Sequence, residues 1–325
     1  MKGLYVSPSP HRATDMSTTK IMLLVIIALL PAAMNGCIVF GPRAAAVMAV
    51  CIASCVIFEA LCRIIMKKEQ TISDLSAVVT GLLLGMNLPV TIPFYIAVIG
   101  SFIAIVIVKQ LFGGIGQNFA NPAIAARIVL MLSFAGEMSN WVKPFWYSGT
   151  VDAETSATPL AAEWLQFAEN GADYKMAPFT LREMFLGETG GCIGETGAAM
   201  LILGGVFLIV TGVISAATPA AYIGSFALLT FLYTGSAVET AYGVLAGGLL
   251  IGAFFMATDY ATTPVTTKGK IIFGLGCGVI TFIIRSFGSY PEGVSFSILL
   301  MNLLTPYIDR LTKTVPFGAK KAAGK

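Results

Sequence analysis

Residues 21–40 read IMLLVIIALLPAAMNGCIVF, from Ile21 to Phe40, with no charged side chain. A helix that crosses a bilayer needs about 20 mostly apolar residues, so this stretch suffices alone. It is too long for a cleavable signal, and no small-residue cleavage pattern follows it. Nine more apolar stretches succeed it: Ala44–Ile65, Leu75–Leu88, Pro93–Phe112, Pro122–Ala135, Gly197–Val213, Ala217–Tyr233, Ala241–Ala257, Ile271–Phe287 and Gly293–Leu311. The pattern predicts an all-α polytopic membrane protein of about ten transmembrane helices. The third and fifth stretches are short. Short spans interrupted by Gly or Pro are enclosed by other helices, often beside a binding site.

Composition agrees with this reading. Of 325 residues, 56% are hydrophobic and only 11% charged, against about 25% charged in soluble domains. Such a chain cannot cover itself with polar surface in water, so the lipid bilayer is its expected surrounding. Disorder and a secreted disulfide scaffold are excluded. A net charge of +3, scattered along the chain, speaks against a nucleic-acid partner.

Charge also orients the spans. Arg43, Lys143, Lys175, Arg182 and Arg285 fall on one side, and Arg127 lies within a span. The remaining 14 of the 20 basic residues lie on the side of the termini. The positive-inside rule therefore places both termini in the cytoplasm. The one long loop, 136–196, lies outside and carries nine of the 17 acids. It separates a first five-span half (21–135) from a second (197–311), flanked by a cytoplasmic segment 1–20 and a basic tail 312–325. Five spans per half make the halves inverted relative to each other, a design that sets its working site near the midplane. Gly116–Arg127 (GQNFANPAIAAR) and Gly252–Pro264 (GAFFMATDYATTP) echo one another, each breaking an apolar run with polar residues and Pro.

Ionisable groups inside a membrane are costly and mark function by default. Glu59 reads either as functional or as a helix-end carboxylate near the interface. Arg127 either serves the site, snorkels, or pairs with a carboxylate. Asn118 and Asn121 share a face if their turn is helical; they offer amides to a planar polar ligand, or Asn121 caps the helix that begins at Pro122. Asp259, beside Thr258, Thr262 and Thr263, suits a hard cation or a proton relay, or is an irregular helix end. Glu195 precedes the sixth span, where an acid favours the helix dipole. The six cysteines form no CxxC pair and read as buried thiols; a ligand to an iron–sulfur cluster shared with another chain is the alternative. With one histidine in the chain, His-based catalysis has little to work with.

In the outer loop, Asp152–Thr158 reads DAETSAT. By residue type alone this is a hydroxyl-rich turn with Thr158 capping a helix that starts at Pro159. The heptad also resembles D-G-x-[ST]-G-A-T, the signature on which a flavin transferase attaches FMN to the final Thr through a phosphoester. Asp152, Thr155, Ala157 and Thr158 match, whereas Ala153 and Ser156 stand where the pattern has Gly. Ser7–His11 (SPSPH), Gly113–Arg127, Gly190–Gly197 (GGCIGETG) and Phe255–Asp259 (FMATD) resemble further motifs of the same family. It is the membrane family shared by the D subunit of the Rnf complex and the B subunit of the Na⁺-translocating NADH:quinone reductase. The likeness covers essentially the whole chain, and its length and SPSPH resemble the Rnf branch.

The resemblance implies a urea-channel-like fold of two inverted repeats in a prokaryotic inner membrane. It implies electron transfer between reduced ferredoxin and NAD⁺, coupled to Na⁺ or H⁺ movement. Thr158 would carry covalent FMN on the outer side, with Asp152, Thr155, Ser156 and Ala157 as the attachment motif. Asn118 and Asn121 would hold riboflavin, and Asp259, Thr258 and Glu195 would line an ion path. Partners would be the FMN-bearing G subunit, the A and E membrane subunits, and the flavin transferase. Three rivals remain: the quinone-reductase protein, a urea-type solute channel, and a scaffold whose complex holds its redox centres elsewhere.

Overall fold

The structure is a computed structural model that describes residues 16–148, 158–160, 179–288 and 292–313. Each of the ten apolar stretches coincides with helix. The first half comprises α1 (Thr18–Phe40), α2 (Pro42–Ile65), α3 (Ser76–Met86), α4 (Phe94–Phe102, continued by a π-helix over Ile103–Gln110) and α5 (Pro122–Ser133). The second comprises α6 (Ala198–Val210), α7 (Ala217–Thr234), α8 (Ala237–Leu245), α9 (Leu249–Ile251, continued by a π-helix over Gly252–Met256), α10 (Thr267–Phe287) and α11 (Val294–Leu311).

Local chemistry sets the ends. Ser17 caps α1 by accepting the Lys20 N–H. Asp74 Oδ1 accepts the Ser76 N–H at 2.8 Å and starts α3. Asn121 caps α5, with Pro122 at its first position, and Thr266 caps α10. Side-chain oxygens of this kind satisfy amides that a helix start leaves open.

Among the described residues, α1, α2 and α10 are each long and apolar enough to cross a membrane. The pair α8 and α9, bent by 68° between Leu245 and Leu249, makes a fourth if counted as one broken span. The ten stretches expected as spans are thus all helical among the described residues, and three or four of them have by themselves the length and composition of a full crossing. Helix α3 has 11 residues and α5 has 12. At about 1.5 Å per residue these reach roughly half of a 30 Å hydrocarbon core. Their polar ends therefore fall inside the bundle, where other side chains must meet them.

In the first half α2 packs on α3 and α4; in the second α7 packs on α8 and α10. The halves join where α1 meets α6 and where α5 meets α11. Helix α6 comes so near α1 that a Cβ on Gly204 would collide with the Ala28 carbonyl oxygen. The main apolar core runs across this seam, from Leu29, Leu84 and Met86 to Leu249, Phe273 and Ile298. Met34, Ile38, Leu203 and Leu232 point outward and are exposed, as lipid-facing side chains are. A separate small cluster joins Leu160, Met184, Tyr242 and Ala246. The chain is a multi-pass membrane protein.

Candidate functional site: a polar seam between the halves

Two polar breaks meet at the seam. The residues that end the second π-helix and the residues that begin α5 face each other: Asn121 Nδ2 donates to the Met256 carbonyl at 3.3 Å. Its Oδ1 accepts the Ala123 and Ile124 N–H groups at 3.0 and 3.3 Å. The capping reading of Asn121 is thus correct, and the same amide ties the halves together. With its amide oriented to satisfy both neighbours, Asn302 of α11 accepts the Asn121 N–H and donates to Thr262 O.

Beside this joint lies a cavity of about 90 Å³. Its polar wall is made by Ser76, Lys109, Asn118, Asn121, Thr258 and Asp259, and its apolar wall by side chains such as Val25, Leu83 and Phe255. Asn118 Oδ1 is buried without a hydrogen-bond partner among the described residues. A buried orphan oxygen costs about 1–3 kcal/mol unless a ligand or water supplies a donor. Thr258 spends its hydroxyl on Phe254 O at 2.6 Å. Asp259 Oδ2 accepts from Thr262 at 3.1 Å, and its carbonyl accepts from Thr263 at 2.7 Å. The threonine cluster therefore shapes the Asp259 turn.

Two buried ionic groups flank the seam. In the first, Lys109 Nζ lies 2.7 Å from Glu59 Oε2, with the side chains 2% and 0% exposed. Lys109 also donates to Ser76 Oγ at 2.6 Å, and Thr71 donates to Glu59 Oε1 at 2.8 Å. Glu59 is thus buried and paired within the bundle, and Lys109, counted by sequence with the cytoplasmic charges, is inside it too. Nothing in the apolar run around Lys109 distinguished the two placements; only the facing Glu59 does.

The second group is centred on Arg127. It donates to Asn87 Oδ1 at 2.5 Å and to Glu195 Oε1 at 2.6 Å, and it also pairs closely with Glu292. Cys192 Sγ lies 3.5 Å from the same guanidinium. Arg127 is 2% exposed. Asn87 and Arg127 come from the first half. Cys192 and Glu195 come from the end of the long loop that links the halves, and Glu292 comes from the second half. Glu292 Oε1 and Arg127 Nε have no partner among the described residues. The break between α8 and α9 presses on this group, since a Cβ on Gly248 would lie 2.6 Å from Glu292 Oε1 and 3.2 Å from Glu195 Oε1.

This arrangement corrects the reading of Glu195. Its carboxylate serves Arg127, while α6 starts at Gly197 without a side-chain cap. Asn87, Lys109 and Glu292 were missed by sequence. An arginine inside a span signalled that carboxylates had to exist, but not which ones. The cysteines are all free, and all but Cys37 are buried. No metal-binding group of three ligands occurs among the described residues.

Of the Asp152–Thr158 motif, Asp152, Thr155, Ser156 and Ala157 lie outside the described residues. Thr158 is described and buried. Leu160, two residues on, packs with Met184, Tyr242 and Ala246, beside the break that carries Gly248.

Residues 5–318 match the sequence profile of the NQR2, RnfD, RnfE family. The chain is 48% identical over 321 residues to the D subunit of the Na⁺-translocating ferredoxin:NAD⁺ oxidoreductase complex of Acetobacterium woodii, covering 98% of this chain and 96% of that one. It is 45% identical to the D subunit of the proton-translocating ferredoxin:NAD⁺ oxidoreductase complex of Clostridium ljungdahlii, covering 97% and 96%. It is 36% identical to the D subunit of the ion-translocating oxidoreductase complex of Stutzerimonas stutzeri, covering 95% and 94%. A full-length match to one profile and to several proteins of one kind leaves a single assignment: the chain belongs to the NQR2, RnfD, RnfE family.

Proposed function

We propose that this chain is the D-type membrane component of an ion-translocating ferredoxin:NAD⁺ oxidoreductase complex. Its relatives carry that name along nearly their whole length. In this reading it works only within the complex, alongside the FMN-bearing G subunit and the A and E membrane subunits. It lies in the prokaryotic cell membrane with both termini cytoplasmic. The ten helical stretches form two inverted five-helix halves. The matched pairing of α2 with α3 and α4, and of α7 with α8 and α10, supports that symmetry.

The chain is proposed to hold two flavins. FMN is joined by a flavin transferase to Thr158 on the outer side, with Asp152, Thr155, Ser156 and Ala157 as the recognised motif. Riboflavin occupies the seam cavity. The observation that carries the second site is the unpartnered Asn118 oxygen in the wall of that cavity. A flavin offers ring N–H and ribityl O–H donors that suit the Asn118 oxygen, and the cavity of about 90 Å³ would widen to take the ring. A bound isoalloxazine supplies one-electron relay between centres. The chain's own residues do the rest. Asn118 supplies an acceptor, Asn121 fixes the wall by capping α5, and Val25, Leu83 and Phe255 exclude water.

Ion passage is proposed along Asp259, Thr258 and Glu195. The two carboxylates that share one guanidinium at Arg127 support a charge-bearing route on that side. Which ion moves differs even between the named relatives, and the carboxylate and hydroxyl oxygens here suit either Na⁺ or a proton.

The test is the flavin released by denaturing the purified complex. Wild type is expected to release free riboflavin, and Asn118→Leu to release several-fold less while retaining its partner chains. Equal release from both would remove the cavity assignment.

A further inference from the structure

The burial of Thr158 conflicts with a modification that needs its hydroxyl in another enzyme's active site. Thr158 is 9% exposed and Leu160 is 8% exposed, and Pro159 between them is buried as well. Leu160 enters a socket made by Tyr242 of α8, by Ala246 just past its end, and by Met184 of the short helix Leu181–Leu186. Its floor is Gly247, whose φ of +63° lies in the left-handed region. A Cβ on Gly247 would collide with Leu160 Cδ1. Leu160 therefore fills the space that the absence of a side chain at 247 leaves open. With Leu160 seated, Thr158 is buried, and a buried hydroxyl does not enter another enzyme's groove.

We propose that Leu160 is a latch on flavin attachment. Seated in the Met184–Tyr242–Ala246–Gly247 socket, it holds Thr158 against the bundle; the transferase acts on Thr158 only while Leu160 is out. Modification thus precedes docking of this segment, and docking then fixes the flavin on the outer end of the broken span. This rests on the reading of Thr158 as the FMN acceptor. The transfer forms a bond between Thr158 Oγ1 and the flavin-side phosphorus of a flavin adenine dinucleotide. It breaks the diphosphate bridge, releases AMP, and gives the hydroxyl proton to solvent. No oxidation state changes.

The experiment uses the full chain in its complex, purified from cells that lack the transferase. Transferase and flavin adenine dinucleotide are then added, and in-gel flavin fluorescence is followed with time. Wild type is expected to label slowly. Leu160→Asp, which cannot hold an apolar socket, is expected to label at least about tenfold faster, as the accessible fraction of Thr158 rises. Leu160→Met should label like wild type. Met184→Ala opens the socket from its other wall and leaves the recognised segment unaltered. On complexes that elute as wild type does, acceleration in both Leu160→Asp and Met184→Ala supports the latch. Equal rates in all chains overturn it. Acceleration in Leu160→Asp alone also overturns it, since the transferase would then be reading residue 160 directly. Labelling that survives Thr158→Val instead removes the acceptor assignment, a result separate from the latch.

Discussion

The two buried ionic groups differ in balance. At Lys109 one cation meets one carboxylate, and Ser76 and Thr71 supply the neighbouring contacts. At Arg127 one guanidinium meets Glu195 and Glu292, and Glu292 Oε1 is left without a partner among the described residues. The first group lies within one half and joins α2 to the π-helix after α4. The second is assembled from both halves. A balanced, saturated pair fixes structure. A group with a carboxylate to spare has an energetic reason to take up a proton or a cation, because uncompensated buried charge is costly.

The comparison breaks most visibly at Arg127. Arg127→Met would bury two carboxylates with no cation between them, and breaking a buried pair costs about 3–5 kcal/mol. Little folded complex is expected in detergent, measured by thermal unfolding; a variant as stable as wild type would contradict the assigned role. Next, Lys109→Met should lose a similar amount because it strands Glu59. The double variant Lys109→Met with Glu59→Leu should recover most of that loss, since replacing a whole buried pair by apolar groups is often neutral. Failure of the double variant to recover would mean that the pair does more than hold α2.

Removing the surplus sharpens the contrast. Glu292→Gln leaves Arg127 paired with Glu195, so stability should fall by less than in Arg127→Met, by about 1.5–3 kcal/mol. Ion movement per electron in vesicles should nevertheless fall several-fold, as it should in Asp259→Asn. Unchanged ion movement in both would detach these carboxylates from transport. The smallest effect is expected at the joint itself. Asn121→Ala removes the cap of α5 and should cost about 1 kcal/mol, seen as a modest fall in the unfolding temperature.

Much of the fold was legible because lipid imposes a simple rule: apolar runs become helices, and Ile21–Phe40 and Ala44–Ile65 could become nothing else. The start of α5 was legible too, since Asn121 and Pro122 mark it; the end of α3 was not, because Asn87 lies inside the apolar run expected to reach Leu88. The break at Gly247–Gly248 was not, because two glycines in an Ala- and Leu-rich run look like ordinary span residues. At the site, Asn121, Arg127, Glu195 and Asp259 stood out as polar groups in apolar surroundings. Glu292 did not, since Pro291-Glu292-Gly293 reads as a surface turn, and its role comes from a contact 165 positions away in sequence. Polarity inside a span is visible locally; pairing across the seam is a property of the packed bundle.

The measurement that bears most directly on the flavin-carrying account is in-gel fluorescence of the denatured chain, made in cells that contain the flavin transferase. The account predicts a fluorescent band for wild type and none for Thr158→Val. A dark wild-type band, or a fluorescent Thr158→Val band, would contradict it.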